Sequence, residues 1–438
     1  MTTTMMPIIG TSATDSPLPR QVASRDAERL RRYREYLDYA EGRRGAAPHR
    51  PRERSLTFNY ARAIVEKGAS YLVTAHRPVV TASGSGVPAS TGARRAAAAA
   101  ERLLLETWDA NELARLDIET EIDTATLGDG AYKITWDDRE ERVIVSAPDV
   151  QGLFVWWHGD DVRRVQRVAS RYTLDADAFA ERAGHTAPAF PSLARDTRAG
   201  TSLARDTRAG SGQRPATVDV VESWTASRFE LWAQDDLIEA RENPYGVIPF
   251  VIYPNLPQPK QFWGVSDIEP IRESLEELNR AISQLSRILE LSGNPIAVLE
   301  NVEEGRDIAV QPGAVWELPE QARAYLLDLL QGGGVRLHVE YVDLIYRTLS
   351  DLAEIPRVAF GDGRGDRSGI SLQMELDPLL RRVERKRLIR TAAMRRRDAL
   401  ALRIAAQHTG RRFEGIHTDI EWEPSLPPAP LATNSPPA

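Results

Sequence analysis

No cysteine occurs among the 438 residues. Disulfides and thiolate metal sites are therefore excluded, and a reducing compartment is accommodated. Lysine is nearly as scarce: only Lys67, Lys133, Lys260 and Lys386 occur, so basic charge is almost all arginine. With the abundance of alanine, this bias points to a GC-rich coding genome rather than to a binding function. No run of about 18 apolar residues is present, and the first twenty residues lack a basic start followed by a long apolar core, so neither a membrane span nor an export signal is expected.

The chemistry-bearing patterns are missing too. The histidines, His49, His76, His158, His185, His338, His408 and His417, never fall at the i, i+4 spacing of a metal-binding helix. No G-x-x-x-x-G-K-[ST] phosphate loop exists. The glycines of Gly361-Asp362-Gly363-Arg364-Gly365 do not have the dinucleotide-binding spacing, and no strand leads into them. Arg364-Gly365-Asp366 is a chance tripeptide, and acidic pairs such as Asp160-Asp161 and Glu303-Glu304 read as solvated charge. No enzyme, cofactor or metal site is predicted.

What is present is a chain of ordinary globular composition, 42% hydrophobic and 27% charged, with a net charge of −7. That charge argues against a protein that coats nucleic acid over its whole surface, yet allows a local basic patch. Residues 1–23 read as a mobile arm. Polar and amphipathic helices follow at about 24–39, 55–72 and 93–108, with another from Glu112. From Ala131 the pattern turns to short strands, AYKITWD, RVIVSA and LFVWWH, continued by VVESWTA and RFELWAQ. Between them SLARDTRAG occurs twice, at 192–200 and 202–210, and reads as a duplicated surface insertion over about 190–212.

Beyond Pro244 an apolar strand, VIPFVIYPN, leads into the clearest helix in the chain. Ser266 and Glu269 are spaced as a capping box. Along the helix Ile271, Leu275, Leu278, Ile282, Leu285 and Leu289 alternate steps of four and three, giving one narrow apolar seam. A β-rich excursion comes next, then a helix from about Val335 to Ile355 with Leu337, Tyr341, Leu344, Ile345 and Leu349 on one side. The glycine-rich PRVAFGDGRGDRSG precedes a helical stretch from Ile370 to His408, which Pro378 should kink.

The order of these elements resembles the portal proteins of siphovirus-type tailed phages. The strand Val247–Asn255, the segment GVSDIEPIRESLEELNRAISQL, the passage ARAIVEKGASYLVTAHRPV and the strands around GDGAYKITWD carry the resemblance, which spans about 55–425. It implies an α+β portal fold: a helical and β wing (24–265), a stem of two helices (266–291 and 335–354) and a small β-rich clip between them (292–331). A tunnel loop (355–369), a long kinked helix with a terminal strand (370–425) and a disordered tail (426–438) complete it. Because the chain closes on PPAPLATNSPPA, the family's helical crown is expected to be short or absent.

The resemblance further implies a ring of identical subunits, typically twelve, at the capsid portal vertex of the virion, assembled in the host cytoplasm. Double-stranded DNA would pass through it. Its partners would be the large terminase, a head-tail adaptor, and the major capsid and scaffold proteins, with no membrane. Stem packing falls to Ile271, Leu275, Leu278, Ile282 and Leu285. Trp316 and Leu318, beside Pro312 and Pro319, offer partner-facing anchors in the clip, with a core role for Trp316 equally open. Arg357, Arg364 and Arg367 are assigned to DNA, offset by Asp362 and Asp366 so that the loop carries a net charge of about one; a plain linker is the alternative. The competing reading is another nucleic-acid-binding or minor capsid protein that uses the arginines of 380–403. Those arginines could equally pair with acidic residues.

Overall fold

A computed structural model describes residues 17–44, 56–82, 90–183, 217–293, 296–301, 321, 323–327, 334–362, 369–413 and 415–425. The duplicated SLARDTRAG segment and the tail from 426 lie outside the described residues. The chain runs through α1 (Leu18–Ser24), α2 (Ala27–Ala40), α3 (Tyr60–Leu72), β1 (His76–Ala82), α4 (Thr91–Ala110), α5 (Leu113–Leu127), β2 (Asp129–Asp137) and β3 (Arg142–Ser146). It continues with β4 (Leu153–His158), β5 (Asp161–Asp175), α6 (Ala176–Ala183), β6 (Thr217–Trp224), β7 (Arg228–Ala233), β8 (Asp236–Glu242) and β9 (Phe250–Pro254). Then come α7 (Arg272–Gly293), β10 (Ile296–Glu300), β11 (Arg323–Leu327), α8 (Gly334–Ala353), α9 (Gly369–Thr409) and β12 (Ile416–Trp422). Helices and exclusively antiparallel strand pairs make this an α+β protein.

Two compact units share the chain. The first comprises Met1–Arg34, Val73–Ser266 and Lys386–Pro424, and the second Glu35–Leu72, Asp267–Arg385 and Ser425–Ala438. In the first unit β4-β5-β6-β7-β8 form a five-stranded meander, and β2 lies between β3 and β9 in a three-stranded sheet. β1 pairs with β12, joining His76 to Trp422 in register. The arm expected over 1–23 does not reach its predicted end. Leu18 and Val22 are buried against Phe154, Ala169 and Val221, and Pro19, in the first turn of α1, presets the backbone for a helix there.

Two glycines fix how β2 meets the chain that leaves β9. Gly128 ends α5 at a φ of 104°, a conformation costly for any residue with a Cβ. A Cβ on Gly264 would fall 2.5 Å from the Gly128 carbonyl oxygen and 2.9 Å from the Asn255 nitrogen, so backbone would have to move. The carboxylate of Asp129 sits in this crossing, accepting from Gly264 N–H (2.7 Å) and Tyr33 Oη (2.5 Å). Burial pushes its pKa up to about 7, against the pull of those hydrogen bonds and Arg29.

Under the five-stranded sheet, Glu222 is fully buried and accepts from Lys133 Nζ (2.5 Å), Tyr172 Oη (2.5 Å), Trp224 Nε1 (3.0 Å) and Arg182. Burial alone would raise this carboxyl; Lys133 and Arg182 outweigh it and bring it down to about 2. The two acids therefore act on stability in opposite senses. Glu222 stabilises the fold above its ordinary value of 4.5, and that contribution drains away as pH falls toward about 2. Asp129 favours the fold most below its ordinary value of 3.8 and progressively less as pH rises through about 7.

Urea unfolding across pH checks both. Glu222→Gln should flatten the acid limb, on the order of 3 kcal/mol in the wild type. Asp129→Asn should abolish the decline between about pH 4 and about pH 7, leaving the variant at least as stable as wild type at pH 8.

Candidate functional site

In the second unit the candidate site is the pair of packed helices α7 and α8 with the turn that follows them. α7 is introduced by a 3-10 turn, Glu269–Ile271. Glu269 does not complete the predicted capping box: its carboxylate accepts from Tyr36 Oη (2.8 Å) and faces Arg272 at 3.7 Å. The Ser266 hydroxyl, for its part, donates to the Thr126 carbonyl (2.5 Å).

The predicted seam is used unevenly. Ile271, Leu275 and Leu278 are buried, together with Ala281. Ile282 and Leu285 are half-buried, and Leu289 is 52% exposed. Polar contacts fix the first half of α7. Phe58 N–H donates to Asn279 Oδ1 (2.8 Å), Leu56 N–H to Ser283 Oγ (3.0 Å), and Tyr39 Oη to Glu276.

On α8 the five apolar residues read as one side divide into two. Ile345 and Leu349 are buried, whereas Leu337 (69%), Tyr341 (41%) and Leu344 (59%) are exposed. The reason is angular: at 100° per residue, 337, 341 and 344 share a stripe that 348 and 352 continue, and the 345 and 349 positions sit a step further round. Leu352, at 44% exposure, extends the open stripe.

α8 ends where Glu354 takes a left-handed φ of 52° and Ile355 N–H donates back to Ser350 O (3.1 Å). Buried Arg382, from the start of α9, holds this end: its Nη1 donates to Ala353 O (2.6 Å) and its Nη2 forms an ion pair with Asp267 (2.8 Å). Both ends of the α7 to α8 segment thus meet one guanidinium. Arg357, first of the three arginines assigned to DNA, lies between Asp343 and Asp362 (2.8 Å to each) and over Tyr346 at 4.8 Å. Arg364 and Arg367 lie outside the described residues, as do Trp316 and Leu318 of the predicted clip. β10 and β11, paired antiparallel, are the described strands of that region.

The arginines of 380–403 are largely engaged within the chain. In the first unit Arg397 donates to both oxygens of Asp117 (2.7 and 3.0 Å), which also meets His76 Nε2 (2.9 Å) and Tyr132 Oη (2.8 Å). Arg390 clamps Glu121 through Nε (2.7 Å) and Nη2 (2.9 Å) and reaches the Asn255 carbonyl (3.1 Å); Lys386 adds a contact to Glu121 at 3.3 Å. Arg395 pairs with Asp419, and in the second unit Arg381 pairs with Asp377 and Arg385 with Glu354. Burial acting alone would raise Asp117, but Arg397 and His76 hold it below the ordinary carboxylate value. Asp117 and Glu121 were invisible as partners in the sequence. The available signal was the spacing of 382, 386, 390 and 397, which puts four cations on one side of α9.

Among the described residues no group of His, Asp or Glu could hold a metal ion, and no helix is long and apolar enough to cross a membrane. Residues 216–433 match the family described as phage portal protein, SPP1 Gp6-like. The chain belongs to the phage portal protein family. The matched half includes α7, α8, α9 and β12, and no curated protein matches the sequence. As a portal protein, the chain is a structural component of a tailed phage, and no catalytic site is indicated.

The clamp yields a direct comparison. Arg382→Leu removes both the buried ion pair to Asp267 and the hydrogen bond to Ala353 O and should cost about 3–5 kcal/mol, whereas Arg381→Ala removes an exposed pair and should stay within about 1 kcal/mol. Urea midpoints of the two variants measure the difference; equal midpoints would refute the clamp.

Proposed function

We propose that this portal protein assembles with copies of itself into a ring at the capsid vertex, through which double-stranded DNA is packaged and released. The observation that carries the reading is the stripe of Leu337, Tyr341, Leu344 and Leu352, left open on a helix of the matched region. An apolar stripe left largely open by the described residues, with Tyr341 held to Glu277 only through its hydroxyl (2.8 Å), is a candidate for contact with another subunit. Side-by-side repetition in a closed ring would cover it on every copy. The half-buried Ile282 and Leu285 of α7 would join the same contact.

In this reading the wing, stem, clip and tunnel loop keep the limits given above, and the ring number is twelve. The clip, residues 292–331, faces terminase and the head-tail adaptor through Trp316 and Leu318. Residues 355–369 face DNA. Because Arg357 is already held by Asp343 and Asp362, this reading assigns the loop's phosphate contacts chiefly to Arg364 and Arg367. Weak, sequence-independent phosphate contact suits a passage in which DNA must slide. The rival reading, a nucleic-acid contact by 380–403, is disfavoured by the burial of Arg382, Lys386, Arg390 and Arg397.

Leu344→Glu tests the assembly. The residue is exposed within its own chain, so the subunit should fold with a change of about 0.5 kcal/mol or less yet fail to form rings. Leu278→Asp, by contrast, should unfold the subunit through a buried charge. Negative-stain images and native mass spectrometry give the readout; intact rings from Leu344→Glu would remove this contact. For the loop, alanine at Arg357, Arg364 and Arg367 together should leave rings normal and reduce DNA packaged or retained per capsid, and packaging at the wild-type rate and length would rule out the role.

A further inference from the structure

The first unit carries a second concentration of arginine, unlike that of α9. β4 and β5 pair from Leu153↔Ser170 outward to His158↔Asp161, with register shifts at Trp156/Trp157 and Trp157/His158. β6 pairs with β5 only from Val168 onward, so residues 156–167 form a two-stranded ribbon beyond the sheet. Arg163 and Arg164 on this ribbon are exposed, and Arg167 is half-buried. None of the three has a carboxylate partner among the described residues. The acids nearby are Asp160 and Asp161 at the hairpin tip; Asp161 Oδ1 accepts the backbone N–H of Arg163 (3.0 Å).

The base of the ribbon makes the imbalance sharper. Two guanidinium groups lie over the indole of Trp156, that of Arg25 at 4.5 Å and that of Arg167 at 5.8 Å from its centroid. Arg25 spends one N–H on the Val155 carbonyl (3.0 Å), and its buried Nε has no hydrogen-bond partner. Arg171, further along β5 and exposed, lies over Phe154 at 5.6 Å; it forms no ion pair among the described residues, although Asp219 and Asp235 line the same surface hollow. Like charges gathered on shared aromatic surface without counter-charge favour an incoming anion. From Arg163 to Arg171 the strand extends for about 26 Å at ~3.3 Å per residue; Arg163 and Arg164 point to opposite faces, so positive charge runs along both sides of the ribbon, which suits an extended polyanion.

We propose that this ribbon is a binding surface for the phosphate backbone of double-stranded nucleic acid. The aromatic side chains select the duplex over a single strand. Trp156 is covered by arginine, and Trp157 stacks on Phe262 (5.8 Å between centroids, 16° between planes), so these rings already have partners within the chain. Single-strand binding depends on free ring faces, whereas duplex binding needs only phosphate contacts. The surface involves none of the residues of the 355–369 loop, and its assignment stands whether or not the chain forms a ring.

The test is fluorescence anisotropy of a labelled 24-base-pair duplex of arbitrary sequence with the full chain at low salt. The variant is Arg163→Gln/Arg164→Gln/Arg167→Gln. A control removes the same charge elsewhere, by Arg403→Gln/Arg411→Gln/Arg412→Gln, and circular dichroism monitors folding. The ribbon variant is expected to bind at least fivefold more weakly and with a salt slope shallower by about three, one per lost phosphate contact. The control should stay within twofold. An equal loss in both variants would mean that only net charge matters and overturn the proposal. So would unchanged duplex binding alongside a loss of binding to polyglutamate, which would identify an acidic protein segment as the partner. Should the glutamine variant fail to fold, lysine at the same three positions decides: duplex affinity within twofold of wild type supports phosphate contact, and a fivefold loss overturns it.

Discussion

The first unit depends on a pair of buried ion contacts that join α5 to α9. Asp117 and Glu121 are one turn apart on α5, and Arg397 and Arg390 meet them from α9 with two donor contacts each. Charges this deep are expensive to desolvate, and they persist only when nearly every lone pair and N–H is used. Tyr132, His76 and Asn255 supply much of that satisfaction, while Arg397 Nη2 and one oxygen of the neighbouring Asp398 are left without a hydrogen bond. The contribution is largely one of specification. A purely apolar α9 could slide or rotate by a turn with little penalty, whereas a shift of one turn here would break the buried Arg397–Asp117 contact.

The second unit is organised by a different balance. α7 is pinned by side-chain acceptors at Asn279 and Ser283 and by the apolar residues of its first half. Beyond Leu278 the burial thins, and on α8 the same happens toward Leu337. The part of the hairpin nearest Arg382 is thus better covered among the described residues, Leu352 apart, than the part nearest β10 and β11. That gradient is what a subunit designed to be finished by its neighbours would show, and it agrees with the family to which the chain belongs.

Much of this was legible in the sequence, for reasons that also mark the limit. The helix from 272 and the strands around AYKITWD were readable because apolar residues recur at one period within a short window. β1 was missed: HRPVVTA has a partner more than 330 residues away in β12, and no local pattern reports such a pairing. α5 was found as a helix, but its buried side holds Asp117, Thr120, Glu121 and Thr124, which composition places on the surface. Similarly, the apolar residues of α8 were identified correctly while their division into buried and exposed sets was not. Periodicity says which residues share a side; it does not say how much of that side the same chain covers.

Arginine shows why charge counts alone decided so little. Arg397 is fully buried and reaches both oxygens of Asp117 through Nη1, Arg357 is shared between two carboxylates and an aromatic ring, and Arg163 is exposed without a counter-charge among the described residues. The densest basic run in the chain, 380–403, therefore contributes little free positive field, because α5 and the ends of the α7 to α8 segment neutralise its inner side. The sparser arginines at the start of β5 contribute more, since there the β4–β5 ribbon runs beyond β6 and the acids beside it are Asp160 and Asp161 at its tip. A net charge of −7 conceals this arrangement. The availability of a cation follows from which element faces it, and on the β4–β5 ribbon the fold leaves Arg163, Arg164 and Arg167 without a carboxylate partner among the described residues.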